Sequence, residues 1–126
     1  MPKAAADFDR TFTALRGMLR SAGKGLIVTS DKSNDFQMAD AGRTDRIGRP
    51  LFIAAVQIKK TYVSYHLMPV YFSPDLLKSV SPALKKRMQG KACFNFTAIT
   101  PEHVRELKAL TRTGIARFKR VKLPWA

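Results

Sequence analysis

Cysteine is nearly missing from this chain of 126 residues: Cys93 stands alone, so no intrachain disulfide framework can form. A single thiol fits a reducing compartment, and the expected location is cytoplasmic. Histidine is as scarce, with only His66 and His103. Zinc sites draw on about four Cys, His or carboxylate ligands at set spacings. The chain has no CxxC and no HExxH, so no metal is expected. Calcium fails as well. Asp31, Ser33 and Asp35 imitate the opening of an EF-hand loop, but Phe36 stands where the loop requires glycine and Gly42 where it requires glutamate.

Long apolar runs are also lacking. The longest charge-free stretch, Thr61–Pro74, is too short for a spanning helix and contains two prolines. Met1–Arg20 is amphipathic with both charge signs, unlike a secretory leader. A soluble protein with no membrane insertion is the expectation. Phosphate loops are missing too. Gly90-Lys91 is followed by Ala92 and has no glycine five residues before it, Gly23-Lys24 lacks a following Ser or Thr, and no GxGxxG follows a strand. No cofactor is expected.

What the chain has in excess is positive charge. Nine acids face 23 Lys and Arg, a formal net charge of +14 that favours polyanions and keeps a protein soluble. Residues 1–62 carry +5 and residues 63–126 carry +9, so the excess leans toward the C-terminus. The length suits one domain over residues 1–126, large enough for a core without staples.

Phe8, Phe12, Leu15, Leu19 and Ala22 form a helical apolar stripe that Gly23 and Gly25 end. Leu26–Thr29 reads as a short strand. Asp31–Pro50 holds four aspartates and three Gly or Pro breakers, so it reads mainly as loop, with a short strand or helical turn within Asp35–Ala41. Leu51–Ile58 and Tyr62–Leu67 form a hairpin around Lys59-Lys60-Thr61. Alternation puts Phe52, Ala54, Val56 and Ile58 on one face, and sets Val63, Tyr65 and Leu67 opposite Tyr62, Ser64 and His66. Ser73-Pro74-Asp75 and Ser81-Pro82 open two short helices, with Leu84 and Met88 on one face of the second. Ala92–Thr97 alternates as a strand, and Thr100-Pro101-Glu102 caps a final helix. The fold class is α+β: a two-layer, mostly antiparallel sheet packed by N-terminal and C-terminal helices.

Cys93 with His66 suggests a thiolate pair, with Asn95 on the Cys93 face to orient the imidazole. An isolated cysteine in an apolar strand is more often a small buried hydrophobe, so no catalytic residue is assigned. Tyr65, His66 and Tyr71, beside Met68-Pro69, combine apolar bodies with polar tips and can line a ligand cleft or form the rim of the core. On the last helix Arg105, Lys108, Arg112 and Lys119 fall within about 60° of arc, a stripe that suits a phosphate backbone or a solvated face.

LFIAAVQIKKTYVSYHLMPVY (51–71), MQGKACFNF (88–96) and TPEHVRELKAL (100–110) together resemble the YdhG-like family, a domain of unknown function. The resemblance covers about the last two-thirds of the chain and implies a compact two-layer α+β domain. It supplies no family catalytic residues. Some YdhG-like proteins are described as frataxin-like iron chaperones, a role that needs clustered carboxylates. Here the first helix offers Asp7 and Asp9 beside Arg10, and the strong positive charge disfavours iron. The expected function is a non-catalytic binding module for a small molecule or peptide, with ligand residues Tyr65, His66, Tyr71, Cys93 and Asn95. The alternative partner is nucleic acid, held by Arg105, Lys108, Arg112 and Lys119.

Overall fold

The amphipathic stripe at the N-terminus becomes α1 (Lys3–Ala22) in the computed structural model, which describes residues 3–125. Four strands follow, β1 (Ile27–Lys32), β2 (Asp35–Thr44), β3 (Pro50–Ile58) and β4 (Val63–Leu67). Then come α2 (Met68–Phe72), a 3-10 turn at Pro74–Ser79, α3 (Pro82–Lys85), β5 (Met88–Gln89), β6 (Cys93–Phe96) and α4 (Pro101–Phe118). The strands make one six-stranded sheet in the order β1-β2-β3-β4-β6-β5, antiparallel throughout. This is the α+β architecture expected. No helix among the described residues is long and apolar enough to cross a membrane.

One sheet face is buried under α1 and α4. Phe12, Leu15 and Leu19 from α1 and Leu107, Leu110 and Phe118 from α4 meet Phe36, Val56, Val63, Tyr65, Leu67, Phe94 and Phe96 from the sheet. Each such side chain contributes about 1.5–3 kcal/mol by leaving water. Tyr65 is fully buried, and its hydroxyl sits 2.5 Å from Thr111 Oγ1 on α4, tying sheet to helix. Gly23 is required where α1 ends, because a Cβ there would lie 2.9 Å from the Leu19 carbonyl and 3.1 Å from Met38 Sδ.

Three expectations are corrected. Asp31–Pro50 is not mainly loop: ten of its residues form β2, because Phe36 and Met38 point into the core opposite Val56 and Ala54. The strand lacks an apolar look because its other face carries Asp35 and Gln37. Phe52 does not share a face with Ala54 and Val56. Met38 pairs with Ala54 while Ala39 pairs with Phe52, leaving Ile53 as a bulge that turns Phe52 to the opposite side. Finally, Met88 does not continue the second short helix. α3 ends at Lys85, Met88 opens β5, and Gly90 at φ +79° makes the turn into β6.

The helix caps are partly as read. Ser73 makes no side-chain cap, and the segment after it winds as a 3-10 turn. Its Asp75 pairs instead with Arg117 of α4. Ser81 caps α3 through the Leu84 N–H, and it also donates from its hydroxyl (2.5 Å) and amide (2.9 Å) to Glu106. Thr100 and His103 form a reciprocal capping box on α4, which engages His103 Nδ1.

Candidate functional site

The sheet face away from the helices is uncovered, and period-two alternation decides what it displays. Where β4 and β6 pair, Tyr65 and Phe94 face the core, while His66 with Cys93 and Ser64 with Asn95 face out as cross-strand partners. Gln57 of β3, opposite Ser64, and Gln89 of β5, opposite Cys93, extend the same polar row. Lys59 and Tyr62, from the β3–β4 turn, wall one end. These side chains line a hollow of about 240 Å³. A second hollow of about 370 Å³ adjoins it, sharing Tyr62, Gln89 and Asn95 and adding Lys86 and Arg87.

The two linings together hold Lys59, Lys86 and Arg87 and no carboxylate. Around the cations stand neutral hydrogen-bonding groups: Gln57, Ser64, Gln89 and Asn95. Asn95 Nδ2 donates to Gln89 Oε1 at 2.6 Å, and its backbone N–H donates to the Arg87 carbonyl at 2.7 Å. These bonds fix β5 and its preceding cations against β6.

His66 and Cys93 are neighbours. The Leu67 N–H donates to the Ala92 carbonyl, so the next pair along the ladder, His66–Cys93, is the closely spaced kind with Cα atoms about 4.5 Å apart. Burial lowers the His66 pKa from its ordinary 6.5 and raises that of the Cys93 thiol, with Lys59 only partly offsetting the second effect. Both groups are therefore neutral near pH 7. The imidazole packs edge-on against Phe52, the ring the bulge turned outward, at 5.3 Å and 79°. The two residues are cross-strand partners, but the thiol is not held as the thiolate that nucleophilic attack requires.

The other half of the open face differs. Over β1–β3 a hollow of about 600 Å³ contains Asp35 and Asp45. Burial acts to raise the Asp35 pKa, but hydrogen bonds from Ser30, Gln37 and Gln57 outweigh it and leave the carboxyl below its usual range. The uncovered face thus has a carboxylate-bearing end and a carboxylate-free end. No family model, curated protein or solved structure matches the chain. Among the described residues, no three His, Cys, Asp or Glu side chains gather closely enough to hold a metal ion.

Of the expected ligand residues, His66, Cys93 and Asn95 come together in the groove. Tyr65 does not, because the same alternation that exposes His66 drives it into the core. Tyr71 lies outside both linings, on α2, 51% exposed with the Lys91 ammonium 5.8 Å from its ring. On α4, Arg105 and Arg112 are exposed, Lys108 is half-buried, and Lys119 is the helix C-cap. Arg105 lies 3.6 Å from Glu102. Lys59, Tyr62, Gln57, Gln89, Lys86 and Arg87 escaped the sequence reading. Only Tyr62 carried a signal, since the alternation of Tyr62–Leu67 already set it on the face of Ser64 and His66.

Proposed function

We propose that this domain is a non-catalytic binding module that holds a small anionic molecule in the groove over β4, β6 and β5. One observation carries the reading: the groove combines Lys59, Lys86 and Arg87 with amide and hydroxyl groups while excluding every carboxylate. Cations in a half-enclosed hollow attract an anion more strongly than the same cations on an open surface, and the neutral groups orient it. A neutral thiol beside a neutral imidazole supports binding over covalent chemistry. A small molecule is favoured over a peptide because the adjoining edge strand, β5, is only two residues long and offers almost no ladder to extend. The YdhG-like resemblance belongs to the same proposal. It rests on residues 51–71, 88–96 and 100–110, of which the first two segments supply Lys59, Tyr62, Cys93 and Asn95.

The chain carries its own reporter. Cys93 is the only cysteine and lines the groove, so alkylation by iodoacetamide reads this site alone. Pyrophosphate is expected to slow alkylation and to raise the melting temperature, and Lys86→Ala with Arg87→Ala is expected to abolish both effects. Unchanged alkylation at saturating pyrophosphate, or equal protection in the double variant, would remove the basis for the reading.

A further inference from the structure

A separate hollow of about 580 Å³ opens where the β2–β3 connection meets the segment after α4. The Arg46 guanidinium lies 5.3 Å over the Trp125 indole, and the indole N–H donates to the Thr44 carbonyl at 2.9 Å. Lys122 lines the same hollow, and Lys119 and Arg120 follow directly on the end of α4. The nearby acids are already engaged. Asp45 accepts the Ile47 and Arg49 N–H groups and the Arg49 side chain, while Asp40 accepts the Gly42 N–H and Arg43. Arg43 turns inward to the Phe118 carbonyl at 2.8 Å. Among the described residues, Arg46, Lys119, Arg120 and Lys122 make no ion pair and all are exposed.

We infer that this corner binds single-stranded nucleic acid, with a base stacking on the Arg46–Trp125 pair and flanking phosphates meeting Lys119, Arg120 and Lys122. Guanidinium and indole planes both stack on bases without regard to sequence, and unpaired cations beside them supply the phosphate contacts. An anionic membrane fits less well. The indole that would enter the interface is covered by Arg46 and tied through its N–H, leaving Ile47, 72% exposed, as the one large apolar group at the hairpin tip. The site shares only Lys119 with the stripe along α4.

Trp125 is the sole tryptophan, so its fluorescence reports this corner as Cys93 reports the groove. Titrating the full chain with a 12-residue oligothymidylate is expected to quench it. Three phosphate-contacting cations and a slope of about −0.7 per phosphate predict binding roughly 20-fold weaker at 200 mM than at 50 mM salt. With a fluorescein-labelled oligonucleotide, Arg46→Ala is expected to weaken binding at least tenfold and Lys122→Ala a few-fold, while Arg112→Ala leaves it unchanged. All three substituted cations are exposed, so folding is not at risk. The inference is overturned by an unresponsive Trp125, by salt-insensitive quenching, by a response to phosphatidylserine vesicles only, or by binding lost in Arg112→Ala but kept in Arg46→Ala. None of these results would touch the thiol readout of the groove.

Discussion

Asn95→Asp puts a carboxylate into the carboxylate-free groove with almost no change of side-chain shape. Asn95 now donates to Gln89 Oε1 at 2.6 Å, and the Gln89 amide can rotate to donate in return, so β5 and β6 stay paired. The effect on a bound anion is mainly coulombic. At about 5 Å, two unit charges repel by about 0.8 kcal/mol in bulk water and about 3 kcal/mol at the effective dielectric of a protein surface. A half-enclosed groove lies between these limits, so pyrophosphate affinity falls between about 4-fold and about 200-fold. Asn95→Ser removes the same amide without adding charge and costs at most the hydrogen bond, about 0.5–1.5 kcal/mol. Salt separates the two effects. At 1 M the screening length shrinks to about 3 Å, so the Asp penalty largely disappears while the Ser penalty remains. The assay is protection of Cys93 from alkylation, expressed as the ratio of rates with and without pyrophosphate. The ratio matters because a carboxylate two residues along the strand, about 7 Å away, raises the thiol pKa further and slows the unprotected reaction. Equal weakening in the Asp and Ser variants, or an Asp penalty indifferent to salt, would show that no anion occupies the groove.

Three further outcomes follow from named contacts. Tyr65→Phe deletes the hydroxyl that meets buried Thr111, so urea unfolding should show a loss of about 1–3 kcal/mol with unchanged pyrophosphate affinity, because that ring faces away from the groove. Burial lowers the His66 pKa, so the unfolded chain protonates first and this group's contribution to stability is lost as pH falls from 6.5 through the folded value. A bound anion favours the charged ring, so affinity should rise as pH drops below 6.5, with proton uptake in calorimetry, and His66→Asn should flatten both trends. Glu106 is held below its ordinary 4.5 by the Ser81 hydroxyl and then the Ser81 amide. Its contribution is present above 4.5 and lost as pH falls through the folded value, so Glu106→Gln should reduce the slope of stability against pH in that acid range.

The architecture was legible where local patterns agree with tertiary burial. The apolar stripe of α1, the Thr100 cap of α4 and the period-two alternation of β4 and β6 fold as their side chains indicate. The same alternation separates Tyr65 from His66 although they are adjacent, so grouping them as one pocket contradicted the strand pattern itself. Phe52 could not be placed from its own strand, because the Ile53 bulge exists only in the register of β2 against β3. β2 was obscured by Asp35, which is satisfied through Ser30, Gln37 and Gln57 on the uncovered face. The groove was legible only in part. Lys86 and Arg87 reach Tyr62 because β6 inserts beside β4 and carries β5 with it, a strand order that no local spacing encodes.

The side-chain amides of Gln57, Gln89 and Asn95 offer the most direct test of whether the carboxylate-free end of the sheet is the binding surface. A nitrogen–proton correlation spectrum of the full chain, titrated with pyrophosphate, should move these three amide pairs together and saturably, along with the backbone signals of Lys59 and Arg87. Movement confined to other parts of the sheet or to α4, with these amides still, would contradict the account.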